Sequence, residues 1–424
     1  MTHHALPVVN LQMSQTPSMS FIEKELLKNK VKIEQWFEAQ WQHIAPPIMC
    51  SVDLRHAGFK LAPVDTNLFP AGFNNLHPSV WPYAVKALKT ALTAEAPHAH
   101  TILLIPEDHT RNEFYNQSLM ALYQLCGQAG FNVRVGSLSL KEPQSIVSTT
   151  FKQALTIEPV SRLDDRLVLD DFTPDLIILN NDLSAGIPLI LEHLKQPIAP
   201  LPELGWAHRL KSKHFTCYEQ VVDRFAGDIG LLSWRLKSLF CAVDALDFMT
   251  QQKLDDAQIK AQNLFKAIQY HYTSVAINET PFLAVKADNG TYGMGVMMLQ
   301  ENESFLKLNR KQRTKMSTRK GNQAIHQVIL QEGVASLERT TAAKVAEPVV
   351  YMIGKEVVGG FYRVHDSRGM QDNLNTPGMH FEPLPLIEDE PFITLENQSN
   401  RFYAYSVVAR LAALAAGFEK EAYR

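Results

Sequence analysis

The segment VKADNGTYGMGV, residues 285–296, offers the clearest chemistry in the chain. Lys286 stands near the end of an apolar run that reads as a strand, and Gly290, Gly293 and Gly295 follow it. Glycines let backbone N–H groups approach an anion closely, and the lysine adds a point charge, so the pattern suits a phosphate cradle. It is no Walker A loop, because no Gly-Lys-Ser/Thr follows, and no dinucleotide fingerprint at a helix start. Alone, the segment serves equally well as a flexible hairpin with an exposed lysine.

Further on, VILQEGV (328–334) is an apolar strand that breaks into Gln331-Glu332-Gly333 before Val334. Such a strand end can present backbone groups to an adenine edge and a carboxylate to a ribose, or be a strand end and nothing more. In GGFYRVH, strand alternation puts Arg363 on the same face as Phe361 and Gly359. A fixed planar cation there suits a transferring phosphoryl group; a surface salt bridge is the plainer use. Asn373 and Asn375 fall in a turn with Pro377 and Gly378, where Asn is favoured in any case. They are also neutral oxygen donors for magnesium or a substrate.

Magnesium brought by phosphates still needs carboxylates to orient it. Glu382, Glu388, Asp389 and Glu390 sit in a Pro-containing stretch that reads as loop. Asp53 in SVDLR, with Asp65 and Asn67 in PVDTN, makes a better set. Period-two alternation points Asp65 and Asn67 to one face, and a hairpin turning at Gly58 brings Asp53 beside them. Asp-x-Asn near a turn is also a common capping pattern.

Two clusters fit acidic substrates. GWAHRLKSKHF (205–215) carries Arg209, Lys211, Lys213 and His214; PEDHTRNEFY (106–115) carries Arg111, Asn112 and Tyr115 just after a strand, where α/β layers bind ligands. Either can equally be a solvated face. Residues 306–320 hold seven basic residues and no acid, but lack the interleaved aromatics that stack bases, so they read as a solvated helix face that also attracts triphosphate. Covalent Ser or Cys catalysis and a His-Glu-x-x-His metal site find no motif.

The elements that must position these residues change character along the chain. A polar, unpatterned stretch (1–19) reads as a mobile tail, and SFIEKELLKNKVKIEQWFEAQWQHI as one amphipathic helix. Between 98 and 200, HTILLIP, FNVRVGSL and PDLIILNN read as strands, with a helix over EFYNQSLMALYQLCGQAG, which predicts a small Rossmann-like parallel α/β domain. A helix-rich connector spans 215–275. FLAVKAD, GVMMLQ and QVILQEGV then read as strands, PVVYMIGKEVVGGFYRV as a hairpin turning at Gly354–Lys355, and NRFYAYSVVARLAALAAGFEKEAYR as a closing helix. The expected division is a tail (1–19), a helix-and-strand segment (20–95), a small α/β substrate domain (96–200) and a larger α+β nucleotide domain (201–424).

Composition is compatible. A chain of 424 residues predicts roughly two or three domains. A net charge of −3 argues against a dedicated nucleic-acid binder. The four cysteines show no paired spacing and read as reduced thiols. There is no secretory signal and no apolar run of about 18 residues, so no membrane partner is expected and a cytoplasmic protein is the default. The oligomeric state is not legible.

Taken in order, lysine strand, glycine loop, strand end, arginine hairpin and Asn turn resemble the ATP-grasp ligases. KADNGTYGMGVM, LNRKQRTKMS, AEPVVYMI, VVGGFYRVH, NLNTPGMHF and SVDLRHAGFKLAPVDTNLFPAGFNNL resemble, more specifically, the proteobacterial glutamate–cysteine ligase family, over about residues 20–424. The resemblance implies ATP and Mg2+ as cofactors, and glutamate, cysteine and ATP as the small-molecule partners. Glutamate is joined through its γ-carboxylate to the cysteine amine by way of an acyl phosphate. It implies ATP at Lys213, Lys286, Gly290, Gly293, Gly295, Gln331, Glu332 and Val334, metal at Asp53, Asp65 and Asn67, and substrate at Arg111, Asn112, Tyr115, Arg209 and Lys211. Lys286, Arg363, Asn373 and Asn375 are the expected catalytic groups. One departure stands out: ATP-grasp chains carry their metal carboxylates and an Asn after the last helix, where this chain stops. Asp53…Asp65-x-Asn67 looks like that piece moved to the front, so a circularly permuted ATP-grasp-like fold is expected. A different amino-acid pair, or a non-catalytic nucleotide or RNA binder, remains an alternative on the residues alone.

Overall fold

The computed structural model describes residues 20–108, 112–148, 150–151, 153–244, 248, 251–289, 296–308, 313, 316, 318–319, 323–325, 327–340, 342–384 and 401–423. The expected tail 1–19, Arg111, the glycines 290, 293 and 295, most of the basic run 306–320, and Glu388, Asp389 and Glu390 lie outside the described residues.

The chain starts with α1 (Phe21–Lys28) and α2 (Lys30–Trp41), then β1 (Met49–His56) and β2 (Leu61–Asn67). Helix α3 (Trp81–Glu95) leads to β3 (Thr101–Pro106), α4 (Glu113–Gln128), β4 (Asn132–Ser137), β5 (Gln144–Ser148) and β6 (Gln153–Pro159). Next come β7 (Ser161–Leu163), β8 (Arg166–Val168), β9 (Leu176–Asn180) and β10 (Ile198–Ala199). After α5 (Lys211–Ile229), β11 (Phe240–Val243) and α6 (Gln251–Ser274) follow β12 (Phe282–Ala287), β13 (Val296–Gln300), β14 (Thr318–Arg319), β15 (Gln323–Ala324) and β16 (Val328–Glu332). The hairpin β17 (Val345–Ile353) and β18 (Glu356–His365), then β19 (Met379–Pro383) and a C-terminal helix (Arg401–Glu421), complete the order.

The architecture is mixed α and β, built on three main sheets. One is antiparallel, in the order β19-β18-β17-β1-β2. A second, β10-β9-β3-β4-β6-β5, is parallel except where β5 meets β6. The third, β11-β16-β12-β13, is antiparallel.

The segment read as one N-terminal helix is two. A capping box starts α1: Glu23 N donates to the Ser20 hydroxyl and Ser20 N to the Glu23 carboxylate. At Asn29 the side-chain amide donates to the Glu25 carbonyl, and this local alternative to the backbone ladder marks the break before α2. The C-terminal helix is buried on every side from Phe402 to Ala416; its residues there are mostly apolar, and its one charged residue in that span, Arg410, is paired with Glu34. It packs across β1, β2 and β17.

That packing settles what the first sheet does with its two faces. Cys50, Val52, Leu54, Val350, Met352 and Val364 join the core that includes the C-terminal helix. The opposite face changes along its strands. Met49, Val349, Tyr351, Ile353 and Phe361 are apolar and meet α3 and α4 in a second core. Beyond them the same face turns charged, at Asp53 and Arg55 on β1, Glu347 on β17 and Arg363 on β18. Period-two alternation alone aims all four into one space.

Candidate functional site

That space is a cleft with about 790 Å3 between its walls, open mouth included. One wall is the charged end of the first sheet, with Val64 and Asp65 of β2. The other is the third sheet, through Ala284, Lys286, Val296, Met298 and the strand end Gln331–Val334. Lys211, at the start of α5, and Asn373 and Asn375 close the sides. The hairpin expected at Gly58 is present, with φ +81°, and pairs Asp53 with Asp65 across its strands. Residues far apart in sequence therefore meet.

Arg363 is the hub. Its Nη1 donates to Asp53 Oδ2 at 2.8 Å and also to Glu347 Oε1. Arg55 holds the other oxygen of Glu347, Nε to Oε2 at 2.7 Å. The remaining arms of Arg55 donate to the Met370 and Asp372 carbonyls at 2.9 and 2.7 Å, tying down the turn that carries Asn373 and Asn375. In that turn Asn375 N donates to Asn373 Oδ1. Lys211 Nζ donates to Asp65 Oδ1 at 2.7 Å and lies 4.0 Å above the Trp206 ring. Lys286 Nζ donates to the Val64 carbonyl and to Gln331 Oε1, both at 2.7 Å, which engages two of its three N–H bonds.

The charges tune one another. Burial lifts the Asp53 carboxyl above the ordinary range, although Arg363 opposes this. Burial works the same way on Asp65 and Glu347, but Lys211 and Lys286 outweigh it at Asp65, and Arg55 and Arg363 outweigh it at Glu347, so both are held below the ordinary value. Burial brings Lys286 down to about 8, against the pull of Asp65.

Three N–H donors of cleft residues have no partner among the described residues: Arg363 Nε, Gln331 Nε2 and Asn373 Nδ2. An unpaired buried donor costs roughly 1–3 kcal/mol, and all three belong to residues that line the cleft. Charge points the same way. With Glu332 set aside, because Lys60 neutralises it from behind at 2.6 Å, four cations (Arg55, Lys211, Lys286, Arg363) face three carboxylates (Asp53, Asp65, Glu347). The cleft is built for an anion rich in acceptors.

Not every expected residue arrives there. Lys213 is exposed on α5 and does not line the cleft. Asn67 is held in a turn of its own, accepting from Phe69 N at 3.0 Å and donating to the Phe69 carbonyl. Arg209 is buried under the site, donating to Glu419 at 2.8 Å and to the Thr66 carbonyl at 2.6 Å. Asn112 caps α4 by accepting from Phe114 N and Tyr115 N. The Tyr115 hydroxyl accepts from Glu107 N and donates to the Asn180 carbonyl at the ends of β3 and β9. Glu332 borders the cleft, but its carboxylate is fully buried on the opposite face of β16 from the Gln331 amide. Val334 does line the cleft. Gly333 is dictated by packing, since a Cβ there would lie 2.2 Å from the Phe282 ring.

Glu347 and Arg55 were not among the expected residues, and both are central. The signal for Glu347 is an acid inside the apolar run VAEPVVYMI. For Arg55 it is a cation two positions from Asp53 on a buried strand. As to metal, no group of three His, Cys, Asp or Glu is gathered closely enough to hold an ion among the described residues. Asp53, Asp65 and Glu347 are each bound to a cation instead. That fits an ion carried mainly by phosphates, with one or two protein carboxylates, rather than an all-protein cage.

Comparison with known proteins bears on the whole chain. The profile of a family described as GshA, glutamate-cysteine ligase, matches residues 23–420. A crystal structure described as that of a "putative gamma-glutamylcysteine synthetase" from Methylobacillus flagellatus KT superposes with a TM-score of 0.87 at 46% identity, covering 99% of this chain and 100% of that one. A glutathione synthetase-like effector from Globodera pallida reaches only a TM-score of 0.38 at 11% identity, over 89% of this chain and 86% of that one, and carries no argument. No curated protein sequence matches.

Proposed function

This chain belongs to the glutamate–cysteine ligase family, and from that premise we propose that the cleft between the first and third sheets is where its ATP-dependent ligation takes place. The reaction joins the γ-carboxylate of L-glutamate to the amine of L-cysteine. A γ-carboxylate oxygen attacks the γ-phosphorus of ATP, ADP leaves, and the resulting acyl phosphate is opened by the cysteine amine with loss of phosphate and a proton.

The observation that carries the placement is the one cation in surplus in a cleft lined by Arg363, Gln331 and Asn373, each of which also keeps a buried N–H without a partner. Phosphoryl transfer spreads charge over oxygens, and catalysis is mostly positioning plus neutralisation by fixed cations. Lys286 and Arg363 serve that role, Lys286 with the one N–H left free by Val64 and Gln331. Arg363 is held in place by Asp53 and Glu347, so its fork is preorganised. Val334, Met298 and Val296 provide an apolar wall for a purine. Mg2+, when bound, would neutralise phosphate charge, and Asp53, with Asp65 or Glu347, would hold it. The arrangement reads as an ATP-grasp permuted in sequence, whose carboxylate strands β1 and β2 come from the start of the chain. Support for this is the pairing of Asp53 on β1 with Arg363 on β18. The second sheet, with Asn180 at the end of β9 and Tyr115 of α4 hydrogen-bonded to it, is assigned to the amino-acid side of the site.

The test is ADP release with Mg2+ and ATP in the presence of glutamate and each of twenty amines in turn, with product mass measured. Cysteine should give the largest ADP release and a γ-glutamylcysteine product. Failure of every amine to raise ADP release would remove the ligase reading.

A further inference from the structure

Behind the cleft lies a buried ion pair with no part in the chemistry above. Lys60, 1% exposed, follows the Gly58 turn between β1 and β2, and its Nζ is 2.6 Å from Glu332 Oε1. It also sits 3.9 Å above the Trp234 ring, close enough for a cation–π contact. The second carboxylate oxygen of Glu332 accepts from Trp234 Nε1 at 3.2 Å and from Leu239 N at 2.9 Å. Trp234 is stacked with Phe59 and with His271, at centroid distances of 6.1 and 5.0 Å. The Lys60–Glu332 contact is an ion pair by distance, without hydrogen-bond geometry, whereas the other carboxylate oxygen is fixed by two donors.

A buried ion pair is a poor way to gain stability, because an apolar pair of similar volume often does as well. What it does give is geometry. Lys60 belongs to the hairpin that carries Asp53 and Asp65, and Glu332 to the strand that carries Gln331. In front, on the cleft side, the same two sheets are tied by Lys286 Nζ donating to the Val64 carbonyl and to Gln331 Oε1. Gln331 and Glu332 are neighbours on opposite faces of β16, so the strand end is gripped from both sides. We propose that Lys60, acting through Glu332, is a positioning residue that sets the strand end Gln331–Val334 against the carboxylate hairpin, so that the nucleotide and the phosphate-binding groups are held in register.

This rests on the reading of the cleft as the ATP site, and the experiment separates the two. Wild-type protein, Lys60→Met and the double variant Lys60→Met/Glu332→Gln are compared for kcat, KM for ATP, KM for glutamate and melting temperature. The double variant leaves no uncompensated charge and keeps an acceptor for Trp234 and Leu239. Its melting temperature should therefore recover most of what Lys60→Met alone loses, and it remains testable if the single variant does not fold. In both variants KM for ATP should rise on the order of tenfold, as when a supporting shell is removed, with KM for glutamate within about twofold of wild type. Recovery of KM for ATP along with melting temperature in the double variant would overturn the positioning role. So would equal rises in both KM values. Absence of saturable ATP-dependent ADP release in the wild-type protein would overturn the ligase reading itself, and this inference with it.

Discussion

Arg363, on β18, donates to Asp53, on β1, at 2.8 Å although the two residues are 310 positions apart. The contact exists because β17 lies between their strands and alternation turns Asp53, Glu347 and Arg363 to one face. It joins the beginning of the chain to its last third at the one place where the sheet face turns from apolar to charged. Whatever the cleft holds, these two residues meet it together.

Replacing Arg363 by Lys keeps the charge and gives up the planar fork. In this variant kcat should fall about a hundredfold, the loss typical of removing one preorganised donor. Melting temperature should move little, because Asp53 and Glu347 still face a cation. Steady-state ADP release together with a thermal melt checks this, and a full-rate variant would take Arg363 out of the chemistry.

Asp65→Ala separates activity from stability. The Asp65 side chain is 34% exposed but its Lys211 partner only 6%, so removing the carboxylate leaves an ammonium that still lies over the Trp206 ring, at a cost of about 1–3 kcal/mol. Turnover should drop by about a hundredfold while the melting temperature falls by only a few degrees. Unchanged turnover would leave the β1–β2 carboxylates without a functional role.

Lys286 predicts an alkaline limb. Burial holds it at about 8, so kcat/KM for ATP should decline as pH rises through that value and the ammonium loses its proton. The stability effect has the opposite sign. Between about 8 and the ordinary lysine value of 10.5 the unfolded chain binds more protons than the folded one, so this group makes stability rise with pH. Lys60, also held at about 8 by burial, adds to the stability effect. Lys286→Arg should abolish the activity limb, whereas Lys60→Met should leave its midpoint in place. A pH profile of kcat/KM that is flat from about 7 to 10 in the wild-type protein would contradict the assignment.

Glu419, near the end of the C-terminal helix, supports the site from below through Arg209 and His214. Burial alone would raise its pKa, but those two partners bring it down to about 2. Its contribution is fully present above the ordinary glutamate value of 4.5 and is lost as pH falls from there towards 2. Glu419→Gln should cost about 3–5 kcal/mol at neutral pH, because Arg209 is left buried without its partner. Urea titrations at neutral pH and at about pH 3.5 should show that difference shrinking in acid.

Much of this was legible in the amino-acid order, and the limits have physical causes. Lys286, the Gly58 hairpin and the β17–β18 hairpin follow from local alternation and turn chemistry, which a sequence carries on its face. Asp53 and Asp65 were found because an acidic set had to come from somewhere. Glu347 and Arg55 were not, because what marks them is a partner on another strand: Arg55 is 292 residues from Glu347. Asn112, Asn67 and Arg209 have side chains that suit ligands equally well. The structure gives them a cap, a turn and a buried support. The break at Asn29 is a local competition that helical periodicity does not register.

The most direct test of the central claim is a crystal structure with Mg2+ and a non-hydrolysable ATP analogue. The purine should lie against Val334 and Met298, phosphate oxygens at Lys286 Nζ and Arg363 Nε, and the metal on Asp53 with Asp65 or Glu347. A nucleotide seated elsewhere, for instance at the strand ends beside Tyr115 and Asn180, would contradict it.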